Sequence, residues 1–241
     1  MMNLGAVIFD FIGTLAKVEN YSLEDSEEKL FESLVADGFV VDHGRFMDAY
    51  DKAYRKYRDV RYRQLVEVDN AVWISDALNL LDFTTTPEDK CVKKAVSVFF
   101  EGYLSALKLR RFARSTLRKL SRLCYIGLVS NFTHAPVVYA GLRELKINDY
   151  FNIVLVSQTI GWRKPSPEIF KEILRSLDVK ADEVFFVGDT PREDIQGAKN
   201  VGMKTVFIPS QFNTLTDMQK ADTPPDHYIE DLGDLFKILD I

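Results

Sequence analysis

The stretch Ala6-Val7-Ile8-Phe9-Asp10-Phe11-Ile12-Gly13-Thr14-Leu15 constrains this chain more than any other. An apolar run too short for a buried helix reads as a central strand of a sheet. Asp10 then lies where the strand stops, at its carboxyl end. In open α/β sheets that edge is where ligands bind. Gly13 permits a tight reversal close to a ligand, and Thr14 adds a hydroxyl. An aspartate after a strand is also an ordinary turn former, so its meaning depends on what the other strands end in.

From Phe112 onward helices and strands alternate. Helical stretches at 115–123, 135–145, 167–177 and 195–201 separate apolar runs at 125–129, 153–156, 184–187 and 205–208. That alternation predicts an α/β fold, a parallel sheet with helices on both faces. A polar, proline-containing loop is expected over 211–226, then a short strand near Tyr228-Ile229 and a helix from Asp231. Between Lys17 and Ala106 no strand signal interrupts. Ser22 to Asp37 has an acidic first turn and Gly38 beyond its end, a helix with its usual stop. Further helices are expected over 43–64 and 69–81 and from Pro87. The chain therefore divides into a first core strand in 1–16, an inserted all-helical module over 17–106, and the rest of the core over 107–241.

Composition narrows the function classes. A net charge of -5 gives no electrostatic footprint for nucleic acid or an anionic membrane. No apolar run approaches a membrane span, and a strand that begins at once leaves no signal peptide visible. Cys91 and Cys124 have no metal-ligand spacing and read as reduced structural thiols of a cytoplasmic protein. Arg55, Arg58, Arg61 and Arg63 make one helix basic, which is the pattern of a solvated face. His134 reads as a helix-start residue. Gly197 to Gly202 lacks the glycine spacing of a dinucleotide site.

The chemistry gathers at strand ends. One strand ends in Asp10, another in Ser130-Asn131, a third in Gly188-Asp189. In a parallel sheet these ends share one side. Arg163-Lys164-Pro165-Ser166-Pro167, ahead of a helix, adds a cation. Carboxylates that meet in this way need a compensating positive charge, and a hard metal with oxygen ligands suits them.

In order along the chain, Asp10-Phe11-Ile12-Gly13-Thr14, Val129-Ser130-Asn131, Lys164-Pro165-Ser166-Pro167 and Gly188-Asp189-Thr190-Pro191-Arg192-Glu193-Asp194 resemble the four motifs of the haloacid dehalogenase (HAD) superfamily of hydrolases. The likeness covers nearly the whole chain. It implies a Rossmann-like core with a helical cap inserted after the first strand. By matching position, it implies Asp10 as the nucleophile of a covalent aspartyl intermediate. Thr14 would position that carboxylate, and Ser130 and Asn131 would hold the transferred group. Lys164 would offset negative charge. Magnesium would sit on Asp10, Asp189, the backbone carbonyl of Ile12 and Asp194, the last as ligand or neighbour.

One position departs from the phosphatase pattern. Phosphatases of this superfamily usually carry an aspartate two residues after the nucleophile, to protonate the leaving oxygen and activate water. Here that residue is Ile12. Haloacid dehalogenases also lack that aspartate, because halide leaves without a proton. They lack the metal-binding Gly-Asp pair that this chain keeps, and they usually have tyrosine where it has Phe170. The expectation is a magnesium phosphatase of a small phosphorylated molecule. The alternatives are a 2-haloacid dehalogenase-like hydrolase and a catalytically impaired pseudo-phosphatase that only binds. Substrate and oligomeric state have no motif.

Overall fold

The computed structural model describes residues 4–239. The chain forms two compact units, one running to Val18 and resuming at Leu107, the other Glu19–Ala106.

The first unit is built on strands β1 (Ala6–Phe9), β2 (Ala16–Val18), β3 (Leu107–Leu109), β4 (Tyr125–Ser130), β5 (Ile153–Val156), β6 (Val184–Gly188), β7 (Lys204–Phe207) and β8 (His227–Tyr228). Six of them make one sheet in the order β5-β4-β1-β6-β7-β8, with every pairing parallel. The first strand is thus central, fully buried from Ala6 to Phe9. The chain steps outward from it to β4 and β5, then crosses back to β6 and continues the other way. Right-handed crossovers therefore put the helices before and after β4 on one face and those before and after β6 on the other. The second face is sealed by Ile169, Phe170 and Ile173 of the Pro167–Leu177 helix against Ile8, Val129 and Phe186. Gly127 makes that approach possible, since a Cβ there would lie 2.7 Å from Ile173 Cδ1. The reversal of direction happens beside β1, the place where such sheets open a crevice at their carboxyl ends.

Three details differ from the sequence reading. Strands β2 and β3 form a separate antiparallel ribbon, pairing Ala16 with Leu109 and Val18 with Leu107. Three-residue strands show no periodicity, and their partners lie far apart in sequence. The helix expected over 195–201 starts earlier, as a π-type turn over Pro191–Gln196 that passes into Gly197–Asn200. The loop over 211–226 holds a short helix, Leu215–Gln219, with Thr214 and Asp217 in a capping box.

The second unit contains helices Leu23–Ala36, His43–Gln64, Asn70–Asn79 and Lys90–Ala106. Ser22, Asp42 and Asp69 cap the first three, each accepting a backbone N–H of the first turn. The first helix packs on the fourth and the second on the third. Arg55 and Arg63 pair with Asp51 and Asp59 one turn back on an exposed face, and Arg61 pairs with Glu67. Among the described residues no helix is long and apolar enough to cross a membrane.

Candidate active site

Asp10 follows β1 directly, and its N–H donates to the Val187 carbonyl of β6 at 2.9 Å. The chain then turns sharply: Leu15 and Ala16 N–H both return to the Phe11 carbonyl. Gly13 is at φ +100°, and a Cβ on it would fall 2.3 Å from Asp189 Oδ2. Two independent constraints therefore demand glycine here: a left-handed backbone and contact with a carboxylate.

Lys164 enters from the loop before the Pro167–Leu177 helix and is 1% exposed. Its ammonium donates to Asp10 Oδ1 at 2.8 Å, the Val129 carbonyl at 2.9 Å and Asp194 Oδ1 at 2.7 Å. All its protons are used. Burial pulls its pKa down, but the Asp10 and Asp194 carboxylates outweigh burial and hold it above the usual lysine range.

Asp189 closes β6, and its Oδ2 accepts from the Ser210 hydroxyl and from Asn213 Nδ2 at 3.3 Å. Asp194 Oδ2 accepts from Thr190 N–H at 2.9 Å. Asp10, Asp189 and Asp194 are all buried, and one oxygen from each lies within 4.8 Å of the others. Their burial, and the crowding of like charge, raise all three pKa values: to about 6 for Asp10 and Asp189, and about 7 for Asp194. Lys164 counteracts the rise at each without cancelling it.

Two carboxylate oxygens, Asp10 Oδ2 and Asp189 Oδ1, are buried with no hydrogen-bond partner. A buried acceptor of this kind costs free energy unless something fills it. Unpartnered oxygens, a surplus of negative charge and an all-oxygen donor set fit a hard divalent cation. Both Asp194 oxygens are already engaged, so Asp10 and Asp189 have the open ones.

The other expected residues are placed as follows. Ser130 ends β4 and is buried. Thr14 is fully buried; its hydroxyl sits close enough to Asp10 to favour the ionised carboxylate, yet no partner lies at hydrogen-bond length. Ile12 is half-buried, in a bridge to Ala16. Asn131 was expected to hold the transferred group, but its amide is engaged elsewhere. Its Nδ2 donates to the Lys164 carbonyl and to Glu193 Oε2, both at 2.9 Å, and its Oδ1 accepts from Lys164 N–H at 2.8 Å. Asn131 thus fixes the backbone that carries Lys164. Glu193 also accepts from Arg163 at 3.0 Å. Glu193, Ser210 and Asn213 were not singled out from sequence, because their contacts join segments with no common spacing. His134 caps the Ala135–Glu144 helix by position, and both cysteines are free thiols.

A family model described as "Hydrolase: haloacid dehalogenase-like hydrolase" matches residues 4–202. Among curated proteins, the chain is 27% identical over 246 residues to the glyceraldehyde 3-phosphate phosphatase of Pyrococcus furiosus, covering 100% of this chain and 95% of that protein. It is 28% identical over 235 residues to the ribulose-1,5-bisphosphate 5-phosphatase of Halopiger xanaduensis, covering 95% and 97%. In fold it matches a 2-haloacid dehalogenase from Pseudomonas syringae pv. tomato with a TM-score of 0.73 at 22% identity, covering 98% of each chain.

Proposed function

The chain belongs to the haloacid dehalogenase-like hydrolase family, and from that premise we propose that it is a magnesium-dependent phosphatase of small phosphorylated metabolites, acting through a phosphorylated Asp10. The observation that carries this reading is the pair of buried, unpartnered oxygens on Asp10 and Asp189 beside a fully engaged Lys164. The relatives from P. furiosus and H. xanaduensis, both named as phosphatases of small sugar phosphates, support the substrate class.

Asp10 and Asp189 would hold the magnesium, with Asp194 fixed behind them by Lys164 and Thr190. When bound, the cation neutralises charge on the carboxylates and on the transferred phosphoryl group. Lys164 anchors Asp10 Oδ1 and so aims the carboxylate. An Asp10 oxygen attacks phosphorus, and the bond from phosphorus to the leaving oxygen breaks as the aspartyl phosphate forms. Ser130, at the neighbouring strand end, donates to the phosphoryl oxygens in this scheme. Water then attacks that phosphorus, releasing inorganic phosphate and restoring the Asp10 carboxylate.

Ile12 determines which substrates go fast. Attack by Asp10 needs only alignment and charge neutralisation. Protonation of an alkoxide and activation of water need an acid and a base, which Ile12 cannot be. Acyl phosphates and nitrophenyl phosphate, whose leaving groups need no proton, are therefore favoured. The natural protein should show a burst with nitrophenyl phosphate followed by slow turnover. Ile12→Asp should raise turnover of alkyl phosphates by about 10²-fold or more. Fast steady turnover of an alkyl phosphate by the natural protein would overturn this account. The same isoleucine suits a carbon–halogen substrate, so 2-haloacids belong in the screen, with and without magnesium. Release of halide in the absence of magnesium would favour that second reading.

A further inference from the structure

Arg110 lies immediately after β3 and outside every motif described above. Its backbone N–H donates to the Leu15 carbonyl at 2.9 Å. Its guanidinium reaches in two directions. Nη1 donates to the Gly13 carbonyl, and Nη2 donates to the Pro209 carbonyl at 3.0 Å. These two carbonyls belong to the segments that enclose Asp189. Gly13 presses its Cα side against the Asp189 carboxylate. Pro209 is followed by Ser210, whose hydroxyl donates to Asp189 Oδ2 while accepting the N–H of Phe212 and of Asn213. Asn213 then adds a second donor to the same oxygen.

Both hydrogen bonds on Asp189 Oδ2 therefore come from the segment that Arg110 holds at Pro209. With Oδ2 fixed from one side, Oδ1 is left as the open, buried oxygen. The Asp10–Leu15 turn is clamped by the same side chain, so the two carboxylates keep one spacing. Arg110 is half-buried, and its charge lies within electrostatic reach of Asp189.

We propose that Arg110 and Ser210 form a brace that positions Asp189 for the cation, by tying the Gly13 turn to the Pro209–Asn213 loop. The inference rests on the magnesium reading above. Arg110 is a positioning residue: it touches neither substrate nor the reacting atoms. A planar fork can bond two separate carbonyls at once, whereas an ammonium is a point charge. Residues that orient metal-binding carboxylates typically change metal affinity by about 10–100-fold when lost.

The test is calorimetric titration of magnesium into the full chain, as wild type, Arg110→Met, Arg110→Lys and Ser210→Ala, with a thermal melt of each without metal. Arg110→Met and Ser210→Ala should each weaken magnesium binding about 10-fold or more. Arg110→Lys should fail to restore it. With magnesium raised to saturate each variant, KM for nitrophenyl phosphate should stay at the wild-type value and kcat should recover. Wild-type affinity in folded Arg110→Met, or full rescue by Arg110→Lys, would overturn the brace. If Arg110→Met does not fold, Ser210→Ala decides: unchanged affinity there overturns the brace, and weakened affinity supports it. A wild type that binds no magnesium would overturn the metal reading and the brace with it, an outcome distinct from variants that match a magnesium-binding wild type.

Discussion

The two edges of the central sheet are made from the same strands and share almost nothing chemically. At the amino edge, a cavity of about 460 Å³ is lined by Leu4, Gly5, Arg122, Cys124, Tyr125 and Asn152 among others. Its polar groups answer one another. Asn152 Oδ1 accepts from Ile126 N–H at 2.8 Å, and Asn152 N–H donates to the Ile126 carbonyl at 2.8 Å. Cys124 is half-buried there, and burial pushes its thiol up to about 11, so it stays protonated at neutral pH. At the carboxyl edge buried charge is concentrated. Three buried carboxylates share one buried ammonium, and two oxygens are left without partners. A buried cluster left incompletely satisfied marks function better than one whose polar groups pair among themselves.

Substitutions should divide along that contrast. The largest effect is expected from Asp10→Asn, which removes the nucleophile and should lower turnover by at least about 10⁴-fold. The same change relieves like-charge crowding, so the metal-free protein should melt at a higher temperature than wild type. A lower melting temperature would show that Asp10 is a stability element after all. Next is Lys164→Met, which leaves Asp10 and Asp194 buried without their cation. Chemical denaturation should show a loss of about 3–5 kcal/mol. A loss below 1 kcal/mol would place this cluster with ordinary surface pairs.

The pH dependence follows from the raised carboxylates. Their folded-state pKa values of about 6, 6 and 7 lie above the ordinary aspartate value of about 3.9. The folded state therefore holds more protons than the unfolded one between those limits. That contribution is complete below about pH 4 and is lost as pH rises through 6 and 7. Comparing melts of wild type and Asp189→Asn in chelator from pH 4 to pH 8 cancels surface groups such as Asp217, which its Thr214 hydrogen bond holds low. Wild type should lose more stability across that window than the variant. Magnesium should reverse the trend, because it favours the ionised carboxylates. An equal pH response in both proteins would contradict the shift at Asp189.

The smallest effects belong to the amino edge. Asn152→Ala should cost about 1 kcal/mol in a denaturant titration, from one lost hydrogen bond at Ile126, with kcat and KM unchanged. Cys124→Ala should leave turnover untouched, and Cys124 in the natural protein should react with iodoacetamide more slowly than free cysteine at pH 8. A change in kcat from either substitution would mean that the two edges are coupled through the strands.

The sequence carried the parallel core because each strand is a short apolar run followed by a turn, and because helices separate them. It marked Asp10, Lys164 and Asp189 as candidates because each stands at a strand end or in a loop before a helix, and Asp194 only through the motif resemblance; the fold brings all four together. It did not carry what joins those segments. The partners of Asp189 come from Ser210 and Asn213, in a stretch that reads only as polar loop. The Asn131 amide bonds the Lys164 backbone, a contact that only the folded loop reveals. The ribbon of β2 and β3 was invisible for the same reason: its pairing is decided by tertiary closure, and three residues cannot show a period. The helical unit was readable as helices from its caps and spacing, but spacing does not specify a substrate.

That ribbon has an architectural consequence. Val18 and Leu107 stand opposite each other in register, and Glu19 N–H reaches the Ala106 carbonyl at 2.9 Å. The chain thus leaves the sheet-bearing unit and re-enters it at one doorway, about 5 Å wide, as cross-strand neighbours are. A two-residue turn is all that a hairpin of this kind needs to close. Whatever is spliced between these two residues, long or short, hands the core its ends already in place. A change of length inside the module therefore leaves the register of the ribbon, and the ends it presents to the core, as they are.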